Sequence, residues 1–131
     1  MLRVVLIDDA ELVREAVAAL IRSVGHEVVG EADDGATGVR ETLDRRPDLV
    51  IVDWHMPGID GVEATRRIRS ALPSIAIVAF CSDDSPDVRD AFLQAGADVY
   101  VDKRDVMALR AALRAVAAGL HRDRVTGVGY R

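Results

Sequence analysis

The sequence predicts an α/β domain built on a doubly wound, five-stranded parallel sheet. Three observations predict it. Five short apolar runs alternate with five stretches of helical periodicity across most of the chain. Helical crossovers make the strands parallel, and the crossover hand rule leaves few topologies. Finally, Asp8, Asp9, Asp53, Cys81 and Lys103 fall at or just past the C-terminal ends of the first, third, fourth and fifth runs. That is the rim where such sheets bind ligands.

Residues 4–7 form the first buried strand. A helix over 11–24 follows, with Leu12, Val13, Ala16, Val17, Leu20, Ile21 and Val24 on its inner face and Gly25 suited to its C-terminal cap. Residues 27–32 are a weaker strand with valines at 28 and 29. Asp33, Asp34 and Gly35 make a turn and a possible N-cap. Ala36, Val39 and Leu43 mark a short helix that Pro47 cannot continue. The central strand, 49–52, is an unbroken apolar run stopped by Asp53. Pro57 and Gly58 force a turn, and a third helix begins near Gly61, carries Val62, Thr65 and Ile68, and ends before Pro73. Residues 75–80 are the fourth strand. Ser85 and Pro86 can open a helix faced by Val88, Ala91, Phe92 and Ala95, and Gly96 ends it. A short fifth strand, 99–101, precedes a last helix capped by Asp105, faced by Val106, Leu109, Leu113 and Val116, and closed by Gly119. Residues 120–131 show no periodicity and read as a tail, in which Arg122, Arg124 and Arg131 could touch an acidic partner.

A chain of 131 residues suffices for one domain with one core and not for two. Half of the residues are apolar, which excludes disorder over most of the length. A net charge of −5 argues against a bare nucleic-acid binder and against an anionic membrane surface as partner. The single cysteine, Cys81, excludes an internal disulfide and a Cys-rich zinc site. The first apolar run is too short for the core of a signal peptide, and no run approaches the length of a membrane span. A soluble cytoplasmic domain is the expectation.

If the first and third strands are neighbours, Asp8, Asp9 and Asp53 crowd one small volume. Two carboxylates about 5 Å apart repel by roughly 3 kcal/mol at an effective dielectric of about 20. Either a cation sits there or a carboxylate stays protonated. An oxygen-only site with open positions suits Mg²⁺, which keeps waters and accepts a phosphate oxygen. Lys103 adds a positive charge on the opposite rim. Acids, a hard cation and a lysine are parts for handling a phosphoryl group, with Asp53 the candidate nucleophile.

Residues 7–9 (IDD), 53–61 (DWHMPGIDG) and 95–103 (AGADVYVDK), in this order and spacing, make the chain resemble the receiver domain of two-component response regulators over residues 1 to about 119. The resemblance implies a flavodoxin-like (βα)5 fold with strand order 2-1-3-4-5. It implies that Asp53 accepts a phosphoryl group from a histidine kinase or phosphotransfer protein. Asp9 and Asp53 would bind Mg²⁺ directly, with the main-chain carbonyl of His55, and Asp8 would act through water. Lys103 would contact the phosphoryl oxygens, and Tyr100 matches the family's switch aromatic. The switched surface would be the fourth helix, fifth strand and fifth helix, which could also pair two copies. Residues 110–119 look most like receivers of LuxR-type transcription regulators.

The chain departs from the pattern at three points. Where the family uses Ser or Thr to bond the phosphoryl group, it has Cys81, a weak donor, with Ser82 beside it. Lys103 is followed by Arg104, where proline is common in the family. A LuxR-type regulator would continue into a helix-turn-helix domain, whereas residues 120–131 are too few to form one. His55 could tune loss of the phosphoryl group or be a solvated loop residue, and Trp54 is expected to pack beside the pocket.

The resulting expectation is a phosphoacceptor signalling domain, at most self-phosphorylating and self-dephosphorylating, and not an enzyme for a separate substrate. The alternative is a receiver-shaped binding module that switches weakly because Cys81 replaces the hydroxyl. A phosphatase resembling haloacid dehalogenases would need Asp-x-Asp after the first strand, and Ala10 stands where the second acid belongs.

Overall fold

The computed structural model describes residues 1–83 and 85–119, so the expected tail at 120–131 lies outside the described residues. The elements are β1 (Arg3–Ile7), α1 (Glu11–Ser23), β2 (Glu27–Ala32), α2 (Gly35–Arg45), β3 (Leu49–Val52), α3 (Gly61–Ala71), β4 (Ala76–Cys81), α4 (Pro86–Ala95), β5 (Val99–Asp102) and α5 (Val106–Ala117). All five strands are parallel, in the order β2-β1-β3-β4-β5. From β1 the chain steps outward to β2 and then crosses to the other side of β1 to lay down β3. The switch point therefore lies between β1 and β3.

Alternate strand residues feed two cores. Val4, Leu6, Leu49, Ile51, Val78 and Phe80 pack against α1 and α5 through Val17, Ile21, Leu109, Leu113 and Val116. Val5, Ile7, Val50, Val52, Ile77 and Ala79 pack against α3 and α4 through Ile68, Val88 and Phe92. Burial on both faces is why the central strands read as unbroken apolar runs.

Four helix starts are capped by a side chain: Asp34, Asp60, Ser85 and Asp105 accept the N–H groups of Thr37, Glu63, Asp87 and Ala108. Gly96 ends α4 with φ at +119°, a conformation that suits glycine, and a Cβ there would lie 2.6 Å from Cγ of Arg69.

Four of the expected inner-face residues lie outward. Leu12 is 80% exposed and Val106 51% exposed; Ala16 and Ala36 are exposed too. Leu12, Ala36 and Val106 sit in first turns, where a helix has only begun to cross its sheet. In α1 the buried small residue is Ala18, not Ala16. In α2 the buried positions are Gly35, Gly38 and Thr42, small residues that let the helix approach Ile7 and Ile59 closely. The ends of β4 and β5 also shift: Ile75 precedes β4, Cys81 is its last residue, and Asp102 still belongs to β5.

His26, just before β2, accepts the N–H of Leu2 through Nδ1 at 3.0 Å, which requires neutral imidazole. Burial, helped by the charge of the N-terminal amine, lowers its pKa from the ordinary 6.5. The unfolded chain therefore binds a proton first as pH falls. The stabilisation is fully present above about pH 6.5 and is lost as pH drops through the lower folded value. Melting temperature followed from about pH 8 to about pH 5 is expected to fall more steeply for the wild type than for His26→Gln. Parallel curves for the two proteins would remove His26 from the account.

Candidate functional site

The backbone ladder runs one step past three strand ends and carries the site residues to the rim. The N–H of Asp8 donates to the Ala32 carbonyl at 3.0 Å, that of Asp53 to Ile7 at 2.9 Å, and that of Lys103 to Cys81 at 2.8 Å. One oxygen each from Asp8, Asp9 and Asp53 lies within 4.8 Å of the others. Asp8 and Asp53 are buried and Asp9 is exposed, so the cluster is closed below and open to solvent on one side. Lys103 reaches into it: Nζ is 2.9 Å from Oδ2 of Asp8 and 3.2 Å from Oδ2 of Asp53.

The electrostatics follow from three carboxylates facing one ammonium. Burial, then the charge of Asp8, raises the pKa of Asp53 against the opposing pull of Lys103. Burial alone would lower that of Lys103; its hydrogen bond to Asp8 and the charges of Asp53 and Asp8 reverse this and raise it. The lysine stays charged but leaves the cluster net negative. An all-oxygen donor set with an open side fits Mg²⁺ or another hard divalent cation. The adjoining lysine fits the oxygens of a bound anion.

The rest of the rim is less uniform. Cys81 is buried at the end of β4, and burial, then the charge of Asp53, pushes its thiol pKa well up, so the sulfur is not a thiolate. Ser82 is exposed. Tyr100 packs against Phe92 with ring centroids 5.9 Å apart, and its hydroxyl donates to the carbonyl of Asp83 in the β4–α4 loop. Phe92 is fully buried. Trp54 packs against the core, with its ring 4.1 Å from that of His55. Arg104 forks onto Asp102, and their hydrogen bonds hold the Asp102 carboxyl down at about 2.

Two contributors do not stand out in the sequence. A Cβ on Gly61 would lie 1.8 Å from the carbonyl oxygen of Asp53, so only glycine lets α3 start this close to the acid. The Asp60-Gly61 step after a turn is the trace it leaves in the sequence. Arg14, one turn into α1, donates to the carbonyl of Asp8 at 2.7 Å and to Glu31 on β2 at 3.0 Å. A cation just after an acid pair was the available signal.

A family model for the response regulator receiver domain matches residues 4–114. The chain is 39% identical over 123 residues to Response regulator GacA of Pseudomonas viridiflava, covering 91% of this chain and 56% of that protein. It thus spans little more than half the length of that relative. It is similar to the crystal structure of a LuxR-family two-component response regulator from Aurantimonas sp. SI85-9A1, with a TM-score of 0.85 and 36% identity over 91% of this chain and 86% of that one. It is also similar to the receiver domain of the NarL response regulator of Mycobacterium tuberculosis, with a TM-score of 0.81 and 32% identity over 88% of this chain and 96% of that one.

Proposed function

We propose, from the premise that this chain belongs to the response regulator receiver family of two-component systems, that Asp53 is its phosphoacceptor. The observation that carries the reading is Lys103 lodged between Asp8 and Asp53 in an acidic, oxygen-lined pocket at the switch point of the sheet. The donor is a histidine kinase or a phosphotransfer protein in the cytoplasm. A carboxylate oxygen of Asp53 attacks the phosphorus. A P–O bond forms, the P–N bond to the donor imidazole breaks, and the nitrogen leaves with the electron pair. Asp9, Asp53 and the His55 carbonyl would hold Mg²⁺, with Asp8 acting through water. Bound there, the ion would neutralise charge on the phosphoryl oxygens. The Lys103 ammonium, already beside Asp53, meets the remaining negative charge.

The new dianion then acts on the β4–α4 loop, where Tyr100 is tied to the Asp83 carbonyl, and biases the surface of α4, β5 and α5. Cys81 and Ser82 are the donors available at the end of β4. Cys81→Thr offers a stronger donor and is expected to increase the phosphorylation-dependent change at Tyr100 several-fold, read by NMR. An unchanged response would assign the donor role to Ser82 or another group. The second reading, a binding module with weak switching, is favoured only by the buried thiol.

The deciding experiment is intact mass after incubation with acetyl phosphate, with and without Mg²⁺, on the wild type and Asp53→Asn. A Mg²⁺-dependent phosphoryl adduct on the wild type alone is expected. No adduct on folded protein, beside a receiver that labels, would move the weight to the binding module.

A further inference from the structure

Asp9, the pocket's most exposed carboxylate, follows directly on Asp8. Asp8 is tied at every polar group. Its N–H donates to Ala32, Oδ1 accepts the N–H of Ala10 at 2.9 Å, Oδ2 meets Lys103, and its carbonyl accepts from Arg14 Nη1. That last bond is to the carbonyl of the Asp8–Asp9 peptide. Because the peptide is planar, holding its oxygen sets the plane from which Asp9 departs. Arg14 is itself held: its side chain is 17% exposed, and its Nε is fixed on Glu31, across the β1–β2 edge. The guanidinium fork serves two acceptors at once, which a lysine ammonium on a flexible stem would do poorly.

We propose that Arg14, braced by Glu31, is a positioning residue for the divalent cation: it orients the Asp8–Asp9 peptide so that the Asp9 carboxylate faces Asp53. This rests on the Mg²⁺ reading above. A competing expectation has the opposite sign. A cation beside an acidic pocket repels Mg²⁺, so a role as mere charge predicts tighter binding when Arg14 is removed. The ion pair with Glu31 offsets that charge, so orientation dominates.

The test is calorimetric titration of the chain with MgCl₂ for the wild type, Arg14→Ala, Arg14→Lys and Glu31→Gln, with melting temperature measured in chelator. Loss of an outer-shell partner is expected to weaken Mg²⁺ about tenfold in Arg14→Ala. Arg14→Lys should recover part of this, and Glu31→Gln should lose less. Amide exchange at Asp9 and Ala10 should quicken in Arg14→Ala even without Mg²⁺, which a purely electrostatic role would not cause. Unchanged or tighter Mg²⁺ binding in folded Arg14→Ala would overturn the proposal. Should Arg14→Ala not fold, Arg14→Lys decides: weaker binding supports it and wild-type binding overturns it. A wild type that binds no Mg²⁺ would sink the metal reading itself, whereas wild-type binding with indifferent variants sinks only the role of Arg14.

Discussion

Asp53→Asn is expected to lose the phosphoryl adduct completely and, in metal-free buffer, to melt at a higher temperature than the wild type. The first effect is chemical: an amide oxygen carries no charge with which to attack phosphorus, and Asp8, the other acid beside Lys103, already has both carboxylate oxygens engaged by Lys103 and the Ala10 N–H. The second comes from the electrostatics. Burial and the nearby Asp8 both work against the charged form of Asp53, and Lys103 only partly answers them. A neutral side chain of the same shape removes one member of a repelling pair and leaves Lys103 its 2.9 Å contact with Asp8. Relief of about 1 kcal/mol, modest against the roughly 3 kcal/mol of an uncompensated pair, corresponds to roughly 3–6 °C in a domain of this size. Mg²⁺ should also raise the melting temperature less in the variant, because one carboxylate is gone. Calorimetric scans with chelator and with MgCl₂ check both points. A lower melting temperature in chelator would mean that Lys103 already balances Asp53. A surviving adduct would place the acceptor elsewhere.

Arg69→Ala is expected to be strongly destabilising although it lies away from the site. The Arg69 side chain is 13% exposed and that of Asp98 is 1% exposed, and they meet at 3.0 Å. The guanidinium also donates to the carbonyls of Gly96 at 2.9 Å and Ile75 at 2.6 Å. The same Asp98 oxygen accepts the N–H of Ile77 at 2.8 Å. One arginine therefore ties the end of α3 to the entry of β4 and to the α4–β5 joint. Alanine would strip the guanidinium from a buried carboxylate. Breaking a buried pair from one side costs about 3–5 kcal/mol, against a total of about 5–15 for a domain. The exposed pairs of Glu63 with Arg66 and Arg67 are screened by solvent and contribute little by comparison. Urea unfolding should show a midpoint for Arg69→Ala far below that of Arg66→Ala. Equal midpoints would show that solvent reaches Asp98 readily. The Arg69→Met/Asp98→Asn double variant should recover part of the loss.

Much of the frame was legible because it is written in local patterns. An apolar run stopped by an acid marked the ends of β1 and β3. Turn residues and caps at Asp34, Ser85 and Asp105 marked helix starts, and the alternation of strand and helix implied parallel pairing. The β2-β1-β3-β4-β5 order did not follow from periodicity; it came from the resemblance carried by Asp8, Asp9, Asp53 and Lys103. Periodicity misjudged Leu12, Ala36 and Val106, because an apolar residue at helical spacing is buried only where its turn lies over the sheet, and it misjudged Ala16, which falls just off the face that Val17 and Ala18 bury.

The sequence by itself determined the class of fold, the run of elements, and which acids and which lysine reach the C-terminal rim. These depend on hydrophobic period and strand ends, properties of neighbouring residues. Tertiary structure alone decided that Lys103 bridges Asp8 and Asp53, that Arg14 holds the Asp8 carbonyl, that Arg69 closes on Asp98, and that α3 can start against Asp53 only through Gly61. Each joins groups on different elements within hydrogen-bonding or van der Waals distance. Register, twist and helix approach set such distances to a fraction of an ångström, and no spacing along the chain encodes them.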